Sequence, residues 1–235
     1  VAEFDSYAHD YEALHAESVR ASGFPASYFD EYKIKEVAHY LARVGWQESA
    51  IKFLNFGCGI GKTERYARAA LPHADIYGVD VSQRSIELAR ERNRDTGGVS
   101  FAVFDGRALP FDMQFDVVFV ANVFHHIPRA EHVALLRLLR GALRPGGLLF
   151  LFEHNPLNPL TQRAVRACAF DADAVLLAPR YARRILKASG FTETTLRFTL
   201  FFPAPLRALI PLERFLRWLP VGAQYYFIAQ RGEDN

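Results

Sequence analysis

Cysteine is nearly absent: Cys58 and Cys168 are the two in 235 residues. Two thiols can build neither a disulfide framework nor a thiolate metal cluster within one chain, so a reducing, cytoplasmic setting is expected. Charge of one sign is also lacking. Lys and Arg total 28 against 26 Asp and Glu, a formal +2, which gives no basic field for nucleic acid and no charged tail. Nor does any apolar run approach the roughly 18 residues of a spanning helix. The first residues lack a basic stretch followed by an apolar one, so no export signal is expected. Repeats and low-complexity tracts are missing too.

What is present is an apolar half, 50% of the chain, arranged in two rhythms. From Val1 to about Gly45 the pattern is helical, and Gly23 and Pro25 divide it in two. After Gly45, the short apolar runs Ile51–Phe56, Ile76–Val79, Val99–Phe104, Phe115–Ala121 and Leu148–Phe152 alternate with amphipathic stretches. Strands alternating with helices predict crossover units and a parallel sheet covered on both faces. Ser82 is the expected N-cap of a helix to about Asn93. Helices are also expected over about Arg129–Leu143, stopped by Pro145-Gly146-Gly147, and over about Pro179–Ser189. Two final strands, Phe191–Phe202 and Gln224–Gln230, flank an amphipathic segment, Pro203–Gly222, that carries Leu and Arg at helical spacing.

Asn55-Phe56-Gly57-Cys58-Gly59-Ile60-Gly61 follows the first strand and opens a helix. Glycines there let a ligand approach the backbone at a strand end, where open α/β sheets bind nucleotide-like groups. Lys62 stands where a dinucleotide fingerprint has its last glycine, which weakens a nicotinamide-dependent dehydrogenase reading. Asp80 ends the second strand about 20 residues later, where a carboxylate accepts hydrogen bonds from a ribose diol. Asp105 ends the third and suits the exocyclic amine of adenine. Cys58, between two glycines and without a neighbouring His, reads as filling the turn. His125-His126 after the fourth strand and His154 after the fifth lie at the same sheet edge. Any of the three suits proton removal near neutral pH, with loop ordering as the alternative for each. No spaced His/Asp ligand set accompanies them, so no metal is expected.

In the order and spacing of these elements the chain resembles the class I S-adenosylmethionine-dependent methyltransferases, small-molecule branch. The carrying residues are Asn55–Gly61, Asp80, Phe104-Asp105, Phe115–Asn122 with Val123–Ile127, Leu143–Gly147, and the N-terminal Phe4–Tyr11. The resemblance implies a doubly wound, Rossmann-like α/β sheet of seven strands with an antiparallel last strand and an N-terminal helical cap. It implies one domain over 1–235: a cap at 1–45, a cofactor-binding core at 46–155, and acceptor-side segments with the terminal hairpin at 156–235. It implies S-adenosyl-L-methionine as cofactor and S-adenosyl-L-homocysteine as product. Gly57 and Gly59 would approach the methionyl part, Asp80 the ribose, Asp105 the adenine, and Asn122 the sulfonium. Tyr11, Asn55, Cys58, Gly61, Val81 and Gly106 complete the expected contacts, with Tyr7 and Tyr11 packing over the cofactor. Asn55 replaces the commoner acidic residue and so loses attraction for the cofactor's ammonium. The implied activity is O-methylation of a small-molecule hydroxyl on a natural product, sugar or amphiphile. The alternatives are C-methylation of a quinone-like or polyketide acceptor and cofactor binding without catalysis. The segment 203–222 has two readings, a lid completing the core and a peripheral membrane contact. The sequence assigns no oligomeric state.

Overall fold

A computed structural model of the chain describes residues 11–46, 48–168 and 173–233, without the side chains of residues 11–13 and 193. Helix α1 (Tyr11–Val19) runs into a 3-10 turn at Arg20–Ser22, and α2 (Ala26–Arg43) follows. Gly23, at φ 74°, makes the break that Gly and Pro announce. Strands β1 (Lys52–Phe56), β2 (Asp75–Asp80), β3 (Val99–Val103), β4 (Phe115–Ala121) and β5 (Leu143–His154) then alternate with α3 (Glu64–Ala70), α4 (Gln83–Arg92) and α5 (His132–Ala142). After β5 come α6 (Pro159–Ala167), α7 (Pro179–Ala188), β6 (Phe191–Thr199), a 3-10 stretch at Ala204–Leu212, α8 (Glu213–Leu216) and β7 (Gln224–Arg231).

The seven strands are ordered β3-β2-β1-β4-β5-β7-β6. Strands β1 to β5 pair in parallel, and β7 enters antiparallel between β5 and β6. Side chains alternate across the central strands with the period of two that an extended chain imposes. Leu54, Val118, Val120, Leu149 and Leu151 face α5 and α7, packing with Leu136, Leu139, Ile185 and Leu186. Phe53, Val117, Phe119, Phe150 and Phe152 face α2 and α3, packing with Tyr32, Val37, Leu41 and Ala67. Both sheet faces are therefore apolar, and polar chemistry is confined to the strand ends. Strand order reverses direction between β1 and β4, which opens a crevice at their C-terminal ends.

Four expectations are corrected. Pro145-Gly146-Gly147 does not separate α5 from its strand, because β5 already begins at Leu143. Pairing shifts from Phe115 with Leu143 to Val117 with Leu148, so Arg144–Gly147 form an irregularity in the strand. A Cβ on Gly147 would lie 2.8 Å from the Arg144 carbonyl oxygen, which is why glycine stands there. Helix α5 starts at His132, not Arg129. The segment 203–222 is not one amphipathic helix: the backbone kinks at Leu206 (φ −103°, ψ 19°) and Pro211 sits within the 3-10 stretch, leaving 3-10 turns and the four-residue α8. Strand β6 stops at Thr199, short of Phe202, where Leu200 takes φ 62° and turns the chain. Helix α6 was not anticipated, although Asn158 caps it by accepting from the amides of Leu160 and Thr161, and Pro159 occupies its first turn. Phe4–Tyr7 of the expected cap lie outside the described residues.

Ser82 is fully buried, and its hydroxyl accepts from the Ser85 amide at 3.0 Å, the N-cap expected from sequence. Ser82→Ala leaves that amide unpaired and is expected to lower stability by about 1 kcal/mol in urea unfolding. An unchanged midpoint would show that the cap contributes nothing.

Candidate cofactor and acceptor site

A cavity of about 1250 Å³ lies over the C-terminal ends of β1, β2, β4 and β5. Its floor is the glycine loop. Gly57, Gly59 and Gly61 have φ of 75°, 52° and 69°, conformations that side chains resist. The three glycines serve different ends. A Cβ on Gly57 would strike Val123 at 2.4 Å, and one on Gly61 would lie 2.9 Å from the Ala89 Cα. Those two let the loop pack. At Gly59 nothing lies within 4 Å of the Cβ position, so its backbone is open to a ligand. Asp80 holds the loop: one carboxylate oxygen accepts from the Gly59 amide and the other from the Ser82 amide, both at 2.9 Å.

Of the residues expected at the site, the structure brings Asn55, Gly57, Cys58, Gly59, Asp80, Val81, Gly106, Asn122, His125, His126 and His154 into the cavity wall. Gly61 is turned toward α4, its carbonyl accepting from Asn93 Nδ2 at 2.8 Å, and does not line the cavity. Asp105 is also outside the wall. It is fully exposed, and the amides of Ala108 and Arg107 donate to its Oδ1 and hold its carboxyl below the ordinary range. Its backbone neighbours Phe104 and Gly106 line the cavity instead. Tyr11 opens α1, but its side chain lies outside the described part, and Tyr7 lies outside the described residues. Burial pushes the Cys58 thiol well up, which removes the thiolate a nucleophile needs and agrees with a turn-filling role.

Asn122 takes φ 58°, rare for a residue with a side chain, and its buried Oδ1 has no hydrogen-bond partner. Strain together with an unpaired buried polar atom, in a residue that lines a cavity, is characteristic of a ligand position. His125 is buried, and its Nδ1 lies 2.7 Å from Glu153 Oε2. The other Glu153 oxygen accepts from the Phe124 amide at 3.0 Å, which fixes the carboxylate. Nδ1 therefore carries the donated hydrogen, and the opposite ring nitrogen, Nε2, has the character of a base. The rings of His126 and His154 are centred 4.2 and 5.3 Å from that of His125.

Three ionisable groups were not singled out from sequence. Glu153 precedes His154 at the end of β5. Glu64, in the first turn of α3, accepts from Asn55 Nδ2 at 2.7 Å and is buried, which pushes its carboxyl up to about 7 despite that bond. The carboxylate missing at position 55 thus stands directly behind the amide that replaces it. Lys33 of α2 lines the cavity, donates to the Phe29 carbonyl at 3.0 Å, and is lowered by burial to about 8. An acid in the first turn after the glycine loop was the one signal that could have revealed Glu64; nothing local marks Lys33. Lys62 pairs with Asp30 at 3.1 Å. No group of three or more potential metal ligands occurs among the described residues.

The Glu64 shift has a measurable sign. Its folded carboxyl titrates near 7 against an ordinary 4.5, so between those values the folded state holds the extra proton. Stability attributable to this group falls as pH rises through that window. The stability of the protein relative to Glu64→Gln should decline from pH 4.5 to 7.5 by a few kcal/mol, on the order of that shift. A difference that stays flat across this range in urea titrations would refute the shift.

Residues 53–147 match a family described as a methyltransferase domain. Over 147 residues the chain is 31% identical to a trans-aconitate 2-methyltransferase of Methylobacterium radiotolerans, covering 62% of this chain and 54% of that protein. Over 108 residues it is 34% identical to a demethylmenaquinone methyltransferase of Thermotoga maritima, covering 46% and 45%. The chain thus spans about half the length of these curated relatives. A solved S-adenosylmethionine-dependent methyltransferase from Archaeoglobus fulgidus superposes with a TM-score of 0.58 at 17% identity, over 84% of this chain and 94% of that one, and shows the same fold. The matched segment is similar to a methyltransferase domain, and the sheet order and the glycine loop held by a carboxylate at the end of β2 support a fold of the class I S-adenosylmethionine-dependent methyltransferase kind.

Proposed function

We propose that the protein transfers a methyl group from S-adenosylmethionine to a small-molecule hydroxyl, with His125 removing the proton. The observation that carries this reading is the buried His125–Glu153 pair opening onto the same cavity as the glycine loop. The residues fit the cofactor on three counts. Gly59 leaves open the space a Cβ would fill, Asn122 offers an unpaired oxygen, and Asp80 presents two oxygens at the end of β2. The bound cofactor supplies an electrophilic methyl on a sulfonium. Asp80 would accept from the ribose, Gly57 and Gly59 would border the methionyl part, and Asn55 with Glu64 behind it would face the ammonium. Val81, Phe104 and Gly106 would flank the adenine. Cys58 would back the loop, with Tyr11 covering it from α1.

His125 would accept the acceptor's proton as the new bond forms, while Glu153 orients the imidazole and stabilises the positive charge it gains. Apolar walls around the strand ends would exclude water and hold the acceptor in line, which supplies most of the acceleration. Residues up to 45 would cap the cofactor, 46–155 hold it, and 156–235 shape the acceptor pocket. A cytoplasmic location, with peripheral contact to a membrane through 203–222 and an amphiphilic acceptor, belongs to the same reading. The second reading is an acidic carbon as acceptor, favoured by the likeness to a demethylmenaquinone methyltransferase. The same His125 would serve it.

Two variants test the proposal. Gly59→Ala meets no atom and should cost the fold only about 1 kcal/mol of backbone strain. It should nevertheless weaken S-adenosylhomocysteine binding at least about tenfold in calorimetry, because a methyl then occupies the ligand's place. Unimpaired binding would remove the loop from the site. His125→Ala should lower label transfer from tritiated cofactor to a panel of phenol, quinol and fatty hydroxy acceptors by about a hundredfold, with homocysteine-product affinity kept within twofold. Mass spectrometry of the product separates oxygen from carbon. Full transfer by His125→Ala would reject His125 as the base.

A further inference from the structure

Ten large apolar side chains are exposed among the described residues, and eight lie on just two segments: Leu157 and Leu160, then Leu206, Leu209, Leu212, Phe215, Trp218 and Val221. Leu160, Phe215 and Trp218 are 75%, 62% and 73% exposed. The two segments form one surface. Asn158 Nδ2 donates to the Val221 carbonyl at 2.7 Å, and Asn155 Nδ2 to those of Pro220 and Gly222 at 3.1 and 2.7 Å. Neither the 3-10 stretch Ala204–Leu212 nor α8 contributes a single buried residue, so this apolar surface does not complete the core. A contiguous exposed apolar face on a folded protein marks a contact site.

Charge identifies the partner. Arg163 and Arg166 are exposed on α6, Arg207 and Arg214 on the outer segment, and Arg214 stacks on the Phe215 ring at 4.6 Å. Residues 155–168 contain no acid, and 203–222 contain only Glu213. That carboxylate is turned inward: its Oε1 accepts from the amides of Phe201 and Phe202 at 2.8 and 3.3 Å. The face thus combines apolar and aromatic side chains with arginines and no outward acid. Two copies meeting through it would set arginine against arginine, whereas a lipid surface offers acyl chains to the leucines and phosphate to the guanidiniums. No helix among the described residues is long and apolar enough to cross a membrane, so the contact is peripheral.

We propose that Leu157, Leu160 and the 206–221 segment dock the protein on an anionic bilayer surface. Helix α6 also lines the cavity, through Thr161, Ala164 and Val165, and so do Phe201, Phe202 and Pro203, which lead into the outer segment. Docking therefore sets the cavity wall against the membrane, where an amphiphilic acceptor can enter with its reactive head first. Only this last step rests on the methyl-transfer reading.

Flotation of the full chain with vesicles of equal phosphatidylglycerol and phosphatidylcholine, against phosphatidylcholine alone, tests the proposal. At least about tenfold more protein should float with the anionic vesicles, and about 0.5 M salt should reduce that fraction. Phe215→Ser with Trp218→Ser, and separately Arg207→Glu with Arg214→Glu, should each lower flotation about tenfold while S-adenosylhomocysteine affinity stays within twofold. Protein left at the bottom with both vesicle types, or flotation unaltered by both variant pairs, overturns the docking. Self-association in light scattering that the variants abolish, without flotation, overturns it in favour of a second copy. Flotation without binding of S-adenosylhomocysteine sustains the docking and defeats the methyl-transfer reading alone.

Discussion

A parallel sheet covered by helices on both faces leaves no room for unpaired polar groups except at the rim where its strands end. Here that constraint is strict, because β1, β4 and β5 are buried on both sides by aliphatic and aromatic residues. The polar groups carried by the strands and their loops are therefore gathered at one edge. The reversal of strand order between β1 and β4 parts the connecting loops there and makes the edge a cavity. The glycine loop, Asp80, Asn122, His125 and His154 share that cavity because β1, β2, β4 and β5 carry them to the same end of the sheet.

Three buried ionisable groups surround the rim, and each meets the cost of burial differently. Glu153 has a His and a backbone amide at its two oxygens. Glu64 has one amide donor at one oxygen, none at the other, and a carboxyl raised to about 7. Lys33 has one carbonyl acceptor and is lowered to about 8. The first is a completed pair that fixes an imidazole. The other two are incompletely compensated charges, the condition in which a ligand of opposite charge gains most from binding.

Much of the fold was legible because it is written locally. The period-two alternation of Val117–Val120 and Leu148–Phe152, the Ser82 cap and the Gly23-Pro25 break each act within a few residues. Asp80 was legible through a fixed spacing, since one strand and one helix separate it from the loop it holds. Contacts set by register across the sheet were not legible. Glu153 meets His125 because β4 and β5 pair as they do, and Lys33 reaches the cavity because α2 packs on the opposite face from α5. Asp105 shows the converse: its position in the sequence suits a ligand, but its own turn takes up the carboxylate.

The outer segment 203–222 carries leucines at helical spacing, a pattern that ordinarily packs inward. Its conformation is set by polar bonds instead. The Arg217 carbonyl accepts from the Phe198 amide, the Arg217 guanidinium pairs with Glu36 at 2.7 Å, and Glu213 caps the Phe201 and Phe202 amides. Asn155 and Asn158 hold its far end at Pro220, Val221 and Gly222. A Cβ on Gly222 would lie 2.5 Å from the Thr199 carbonyl oxygen, so the chain passes close against β6 where only glycine fits. Anchored in this way, the segment keeps its shape without burying its leucines. Its apolar side chains are left outside, and a contiguous apolar face of this kind on a folded protein is characteristic of a contact surface.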